Sequence, residues 1–341
     1  MPTWKKPSIV AVGALLTALG TGGGAQAIIT AGTPENYVVP PGDFSGVAGL
    51  LSLDRSGELS ICTGSLLTGG LHLLTAAHCL TDTQGNFEVI NTTAIFELSD
   101  GFFSLDIADD GYFIFPDWSG NLFRGDDIAV LKLAEPAPTD VEQYDIYRGA
   151  DEVGQVFTQV GYGQGGTGDE GAVLPGGTKR FGQNRFDALG DILDPLYRQT
   201  FPDFTGVVPG SQLLFDFDNG LPENDAFSSL GISDLGLGNN EVGTGQGDSG
   251  GPSFIGNAIA GVSSYGADTI SPPDIDTEFN RSFGEIAGNT RVSLYASFVD
   301  DAVAGKVSSA VLVPEPSSVL GAIAFGAWGA STLLRRKNQH P

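Results

Sequence analysis

The chain has 341 residues, with 41 Asp and Glu against 16 Lys and Arg, and a formal net charge of −25 at neutral pH. Such a surplus of negative charge excludes electrostatic binding to nucleic acid or to an anionic membrane, and it favours solubility. With 50 Gly, 21 Phe and short apolar runs instead of long helical periods, the composition points to an all-β fold.

Lys5 and Lys6 precede an apolar run over residues 9–19 and a small-residue stretch ending Ala25-Gln26-Ala27. That order predicts a secretory signal peptide over residues 1–27, cleaved after Ala27 by signal peptidase; an uncleaved membrane anchor is the alternative. Cleavage leaves Ile28-Ile29-Thr30-Ala31-Gly32 at the mature N-terminus. Strands are expected over 46–53, 64–67, 71–75, 87–98, 112–115 and 128–133. In the second half they are expected over 155–163, 212–218, 252–255 and 258–266. A helix is expected over 292–303, with Leu294, Phe298 and Val299 as its apolar face. The stretch from 161 to about 240 reads as long surface loops. Its acidic run Asp216-Phe217-Asp218-Asn219-Gly220 fails as an EF-hand loop, because Gly220 is fifth and Phe227 twelfth, which leaves a loop calcium site of another kind open. At the far end, Val313-Pro314-Glu315-Pro316 leads into an apolar segment, 319–334, closed by Arg335-Arg336-Lys337. That pattern predicts a membrane-anchored tail with its basic cluster cytoplasmic.

Three short motifs carry chemistry. Gly247-Asp248-Ser249-Gly250-Gly251-Pro252 puts a serine in a glycine-rich turn where backbone can approach a substrate. A serine hydroxyl needs a base to take its proton and N–H donors for the oxyanion it creates. Thr75-Ala76-Ala77-His78-Cys79 supplies the imidazole. Of three histidines, His340 lies beyond the apolar tail and His72 falls within a strand, so His78 is the base. Asp126-Asp127 ahead of Ile128-Ala129-Val130-Leu131 supplies the carboxylate.

His, Asp and Ser in this order and these contexts resemble the chymotrypsin-like (trypsin-family) serine proteases. The resemblance covers most of 28–303. It implies two six-stranded antiparallel Greek-key barrels, 28–150 and 151–305, with a C-terminal helix, followed by a 306–318 linker, the 319–334 segment and a 335–341 basic tail. It assigns His78, Asp127 and Ser249 as the triad, leaving Asp126 a solvated loop carboxylate, and the N–H groups of Gly247 and Ser249 as the oxyanion hole. It implies that the Ile28 ammonium pairs with Asp248 on activation. It places Gly243, Thr244, Ser264, Tyr265 and Gly266 around the specificity pocket. Gly243 stands where trypsin-like members carry an Asp, so a non-tryptic preference for apolar or small residues is expected. Cys62 and Cys79, the only cysteines, read as a disulfide in an exported protein, and the resemblance agrees. The usual Cys beside the nucleophile is replaced by Gly245.

The tail resembles PEP-CTERM sorting signals, which implies an exosortase-type partner at the surface of a Gram-negative-type bacterium or cyanobacterium. The expected activity is peptide-bond hydrolysis on protein or peptide substrates, with no cofactor and no metal. A catalytically silent surface-binding or matrix module with the same fold is the alternative.

Overall fold

The computed structural model describes residues 28–267, 273–276 and 278–311. The signal segment, the Pro-Glu-Pro motif, the 319–334 segment, His340 and the basic tail lie outside these residues. After β1 (Ile28–Thr30), a closed barrel forms from six strands. They are β2 (Val47–Asp54), β3 (Leu59–Leu66), β4 (His72–Thr75), β5 (Val89–Leu98), β6 (Gly101–Ile114) and β7 (Ala129–Leu133). Their order around the barrel is β2-β3-β4-β7-β6-β5. Leu50, Leu66, Leu74, Phe96 and Val130 are buried inside it, and this apolar filling drives closure. Strand β6 runs much further than the expected 112–115. Its first half, Phe102-Phe103-Ser104-Leu105, pairs with β5 in register Phe96↔Phe103, and the two rings stack at 4.9 Å.

The second half is not a second six-stranded barrel. Its main sheet has eight strands. The strands of the second half, over both of its sheets, are first β8 (Asp145–Ile146), β9 (Val156–Gly161), β10 (Gly165–Thr167), β11 (Gly171–Leu174), β12 (Arg180–Arg185) and β13 (Ala188–Leu189). The rest are β14 (Gln212–Asp216), β15 (Val242–Gly243), β16 (Pro252–Ile255), β17 (Ala258–Ala267) and β18 (Ile286–Arg291). The large sheet runs β12-β9-β16-β17-β18-β14-β13, with β8 parallel to β17. The remaining strands form a separate sheet, β11-β10-β1-β15. The 161–240 stretch is therefore strand-bearing and not only loop, and it also carries helix α1 (Asp194–Thr200).

The C-terminal helix is split. A 3₁₀ turn, Val292–Tyr295, precedes α2 (Ala296–Val303). Phe298 and Val299 are buried as expected, whereas Leu294 is 48 % exposed, because the tighter 3₁₀ turn rotates it off the apolar face. Tyr295 and Phe298 meet Phe115 edge-on at 4.9 and 5.3 Å. This ties the segment before Asp127 to the chain's end. Among the described residues no helix is long and apolar enough to cross a membrane.

Cys62 on β3 and Cys79 form a disulfide, with Cα atoms 6.2 Å apart and a sequence separation of 17. Closing a loop of that size in the unfolded chain contributes about 3 kcal/mol. Replacing both cysteines by Ala is therefore expected to lower the unfolding free energy by about that amount, read from the urea midpoint at unchanged slope.

Candidate active site

His78 sits in a 3₁₀ turn, Ala77–Cys79, that follows β4 directly. Ala76 and Ala77 are fully buried, so the turn is anchored and the imidazole alone projects, 23 % exposed. Nδ1 of His78 is 2.7 Å from Asp127 Oδ2, and the backbone N–H of His78 donates to Asp127 Oδ1 at 2.9 Å. Ser264 Oγ donates to Oδ2 at 2.5 Å. Asp127 is fully buried. Burial works against its charge, but His78 and the donated hydrogen bonds more than compensate and hold its pKa below the ordinary value. Burial likewise opposes protonation of His78, yet the Asp127 charge and hydrogen bond raise its pKa above the ordinary value. Ser264, expected around the specificity pocket, turns its hydroxyl onto Asp127.

Asp126 is not a solvated carboxylate. It is 3 % exposed, accepts from Tyr295 Oη at 2.9 Å and pairs with Arg124. Its φ of 66° makes the bend that turns Asp127 inward. His72 lies half-buried on β4 opposite Lys132, its pKa lowered by burial and by that lysine.

The Ser249 turn is clasped by the first barrel. Thr63 on β3 donates its N–H to Ser249 O at 2.8 Å and its hydroxyl to Gly247 O at 2.9 Å. Sγ of Cys79, next to His78, lies 3.7 Å from the same Ser249 oxygen. Gly250 has φ +81°, and a Cβ there would overlap Thr75 Oγ1 and Thr63 O, so only glycine permits this approach. These contacts bring the Ser249 loop against the His78 turn. Among the described residues no hydrogen bond engages the N–H of Gly247 or Ser249, the Ser249 hydroxyl, or Nε2 of His78. At Gly245, where a disulfide was expected to be missing as a restraint, the Gln164 backbone fills the space and leaves no room for a Cβ. Gln164 N–H donates to Gln246 O at 2.6 Å.

Asp248 is fully buried and accepts from Gly245 N–H at 2.7 Å, from Gly163 N–H at 2.8 Å and from the N–H of Ile28. Burial pushes its pKa up to about 6 despite these bonds. Ile28 is itself fully buried, pairing with Gly165 in parallel register. The pocket region contains a residue the sequence did not suggest: Arg281, which lines one cavity with Gly243 and Thr244. Nothing local marked it, since it lies in an irregular segment before β18.

Within the stretch expected to be surface loop, Asp216, Asp218 and Asp225 are each at most 3 % exposed. Cys62, His78 and Cys79 place ligand-type atoms within 4.8 Å of one another, but both sulfurs are spent in the disulfide.

The trypsin family model matches residues 43–183. No curated protein matches the chain. Among solved structures, a protein described as HL collagenase is 18 % identical, with a TM-score of 0.52, covering 79 % of this chain and 97 % of its own. Neuropsin, a serine protease expressed in mouse brain, is 17 % identical, with a TM-score of 0.53, covering 78 % of this chain and 98 % of its own. The likenesses to these two structures show a chymotrypsin-like fold, and the trypsin family model matches within its first barrel and the strands that follow.

Proposed function

We propose that the protein is an exported serine endopeptidase acting through an acyl-enzyme, with His78, Asp127 and Ser249 as its triad. The observation that carries this reading is the buried Asp127 bonded to Nδ1 of His78 at 2.7 Å, with the Ser249 turn held against the same loop. Bonding Asp127 to Nδ1–H leaves the Nε2 lone pair facing outward as the base. Nε2 takes the Ser249 proton as Oγ attacks the peptide carbonyl carbon. The unengaged N–H groups of Gly247 and Ser249 receive the oxyanion, each such donor contributing about 3 kcal/mol to the transition state. His78 then protonates the leaving amine, and water repeats the cycle to free the acid.

Activation follows from cleavage after Ala27. The Ile28 nitrogen already bonds Asp248, so cutting there places an ammonium beside a buried carboxylate that Arg180 reaches only through its charge. Ile28 has φ +62°, a strained value for a β-branched residue. Removing Ala27 abolishes that torsion and relieves the strain. Signal peptidase is thus the activating enzyme, and the Pro-Glu-Pro tail directs the product to an exosortase-type enzyme at the cell surface.

The test is labelling of the exported full chain with a fluorophosphonate, together with the intact mass of the product. Labelling that disappears in Ser249→Ala and His78→Ala, on a chain beginning at Ile28, is the expected result. A folded chain beginning at Ile28 that does not label would sink the enzymatic reading.

A further inference from the structure

Between Gly243 and Arg281 lies a small cavity of about 10 Å³, room for about one water. It is lined by Phe217, Gly243, Thr244, Arg281, Glu285 and Ala287 among others. Gly243 and Thr244 are the residues expected at the base of the specificity pocket, so this cavity is what remains of that pocket. Arg281 occupies the rest. A Cβ on Gly266, on the pocket wall, would overlap its guanidinium. The Nη1 of Arg281 is buried and makes no hydrogen bond, which is costly for a charged donor.

The guanidinium is held in place. Its carbon lies 4.3 Å from the centre of the Phe279 ring. Glu285 Oε1 accepts the Arg281 backbone N–H at 2.7 Å and that of Asn280 at 2.8 Å, fixing a residue with φ +74°. Three acidic groups surround it. Glu285 and Asp248 act on it at a distance, and Asp216 lines the cavity. None forms an ion pair with it among the described residues. Asp216 Oδ2 is taken by the Ala226 N–H at 2.6 Å, and Glu285 Oε1 by the backbone. Oε2 of Glu285 is buried without a partner as well, but burial pushes the Glu285 and Asp216 pKa values up to about 7. The guanidinium is therefore the charge that persists in a pocket whose glycine floor adds no carboxylate, and such a pocket recognises a negative side chain.

The geometry points to Arg281 as the specificity-determining residue, accepting a Glu or Asp side chain of the substrate on the acyl side of the scissile bond. This rests on the serine-endopeptidase reading and replaces the apolar or small preference expected from Gly243 and Gly266 alone. Those glycines leave the room, and Arg281 fills it with charge.

The test compares peptides differing only by Glu or Gln at that position, which have the same shape and differ in charge. With the exported full chain, kcat/KM for Glu is expected to exceed that for Gln by about 100-fold, as for other charge-assisted hydrogen bonds in a desolvated site. Arg281→Gln is expected to lose that preference while keeping fluorophosphonate labelling, which separates the pocket from the triad. A labelled enzyme that cleaves Gln or Leu peptides as well as Glu peptides overturns the assignment and leaves the protease reading intact. Binding of Glu- and Gln-ended product peptides to Ser249→Ala decides the question without turnover. Tighter binding of the Glu peptide supports Arg281, and equal affinity refutes it.

Discussion

Asp127→Asn is expected to lower kcat/KM by about 10⁴-fold, the scale found when a triad carboxylate is neutralised in place. The hydrogen bonds say why. In the native protein Asp127 accepts from His78 N–H, His78 Nδ1 and Ser264 Oγ, and donates nothing. An asparagine keeps its oxygen on the His78 backbone N–H and presents its NH₂ to Nδ1. The imidazole then carries its proton on Nε2, where it cannot accept one from Ser249. A second signature separates this from simple damage. The His78 pKa is raised only because Asp127 outweighs burial. Catalysis needs the neutral imidazole, so native activity is lost as pH falls through a value above the ordinary 6.5. With Asp127 neutral, burial alone remains, and the residual activity should persist to lower pH than in the native enzyme. Rates against pH from about 5 to 9 for both proteins check this, and an acid limb that stays in place would show that Asp127 does not set the His78 pKa.

The residues of this machinery differ in how they announce themselves. His78, Ser249 and Cys79 sit in contiguous motifs, since a catalytic turn must fix several successive residues at once. The strands leading into them have local hydrophobic patterns, which is why β2, β4 and β7 were legible nearly to the residue. The second half was not, because its organisation depends on pairings between distant segments. Three-residue β1 pairs with β10 and β15, more than a hundred residues away in sequence, and no local pattern encodes that register. Arg281 was invisible for the same reason. Its role comes from folding back over Gly266, and an isolated arginine in a polar segment reads as solvent-exposed. Asp126 was misread because a carboxylate beside the proposed triad aspartate has no sequence mark of burial; Tyr295 on the C-terminal turn makes it a structural bond.

A larger thermodynamic effect should come from four carboxylates outside the triad. Asp216, Asp218 and Glu241 are at most 3 % exposed, and Asp187, half-buried, accepts the Asp216 N–H at 3.4 Å. The nearby Arg185 is committed to Asp234 at 2.6 Å. Oδ1 of Asp218 and Oε1 of Glu241 have no hydrogen-bond partner. Burial first, and mutual repulsion second, push the pKa of Asp187 up to about 9, of Asp218 to about 10 and of Glu241 to about 8. Burial chiefly raises that of Asp216 to about 7. These folded-state values stand above the unfolded ones near about 4, so the folded state binds more protons. The stability they allow is fully present below about pH 4 and is lost as pH rises through the range of about 7 to 10. Asp127 and Glu152, with lowered pKa values, act in the opposite sense and remove stability only in stronger acid. Stability should therefore peak near about pH 5, and Tm should fall by about 10 °C between about pH 5 and 9, a loss of several kcal/mol in a domain of this size. Asp218→Asn and Glu241→Gln should each raise Tm at about pH 8 and flatten the slope. Each removes a buried charge, and the new amide can donate to a neighbouring carboxylate. In Glu241→Gln the amide oxygen can keep accepting the Leu237 N–H, which the native carboxylate holds at 2.6 Å. A Tm independent of pH over this range, or amide variants that destabilise in mild base as much as in mild acid, would show that the cluster is neutralised in a way its own side chains do not provide.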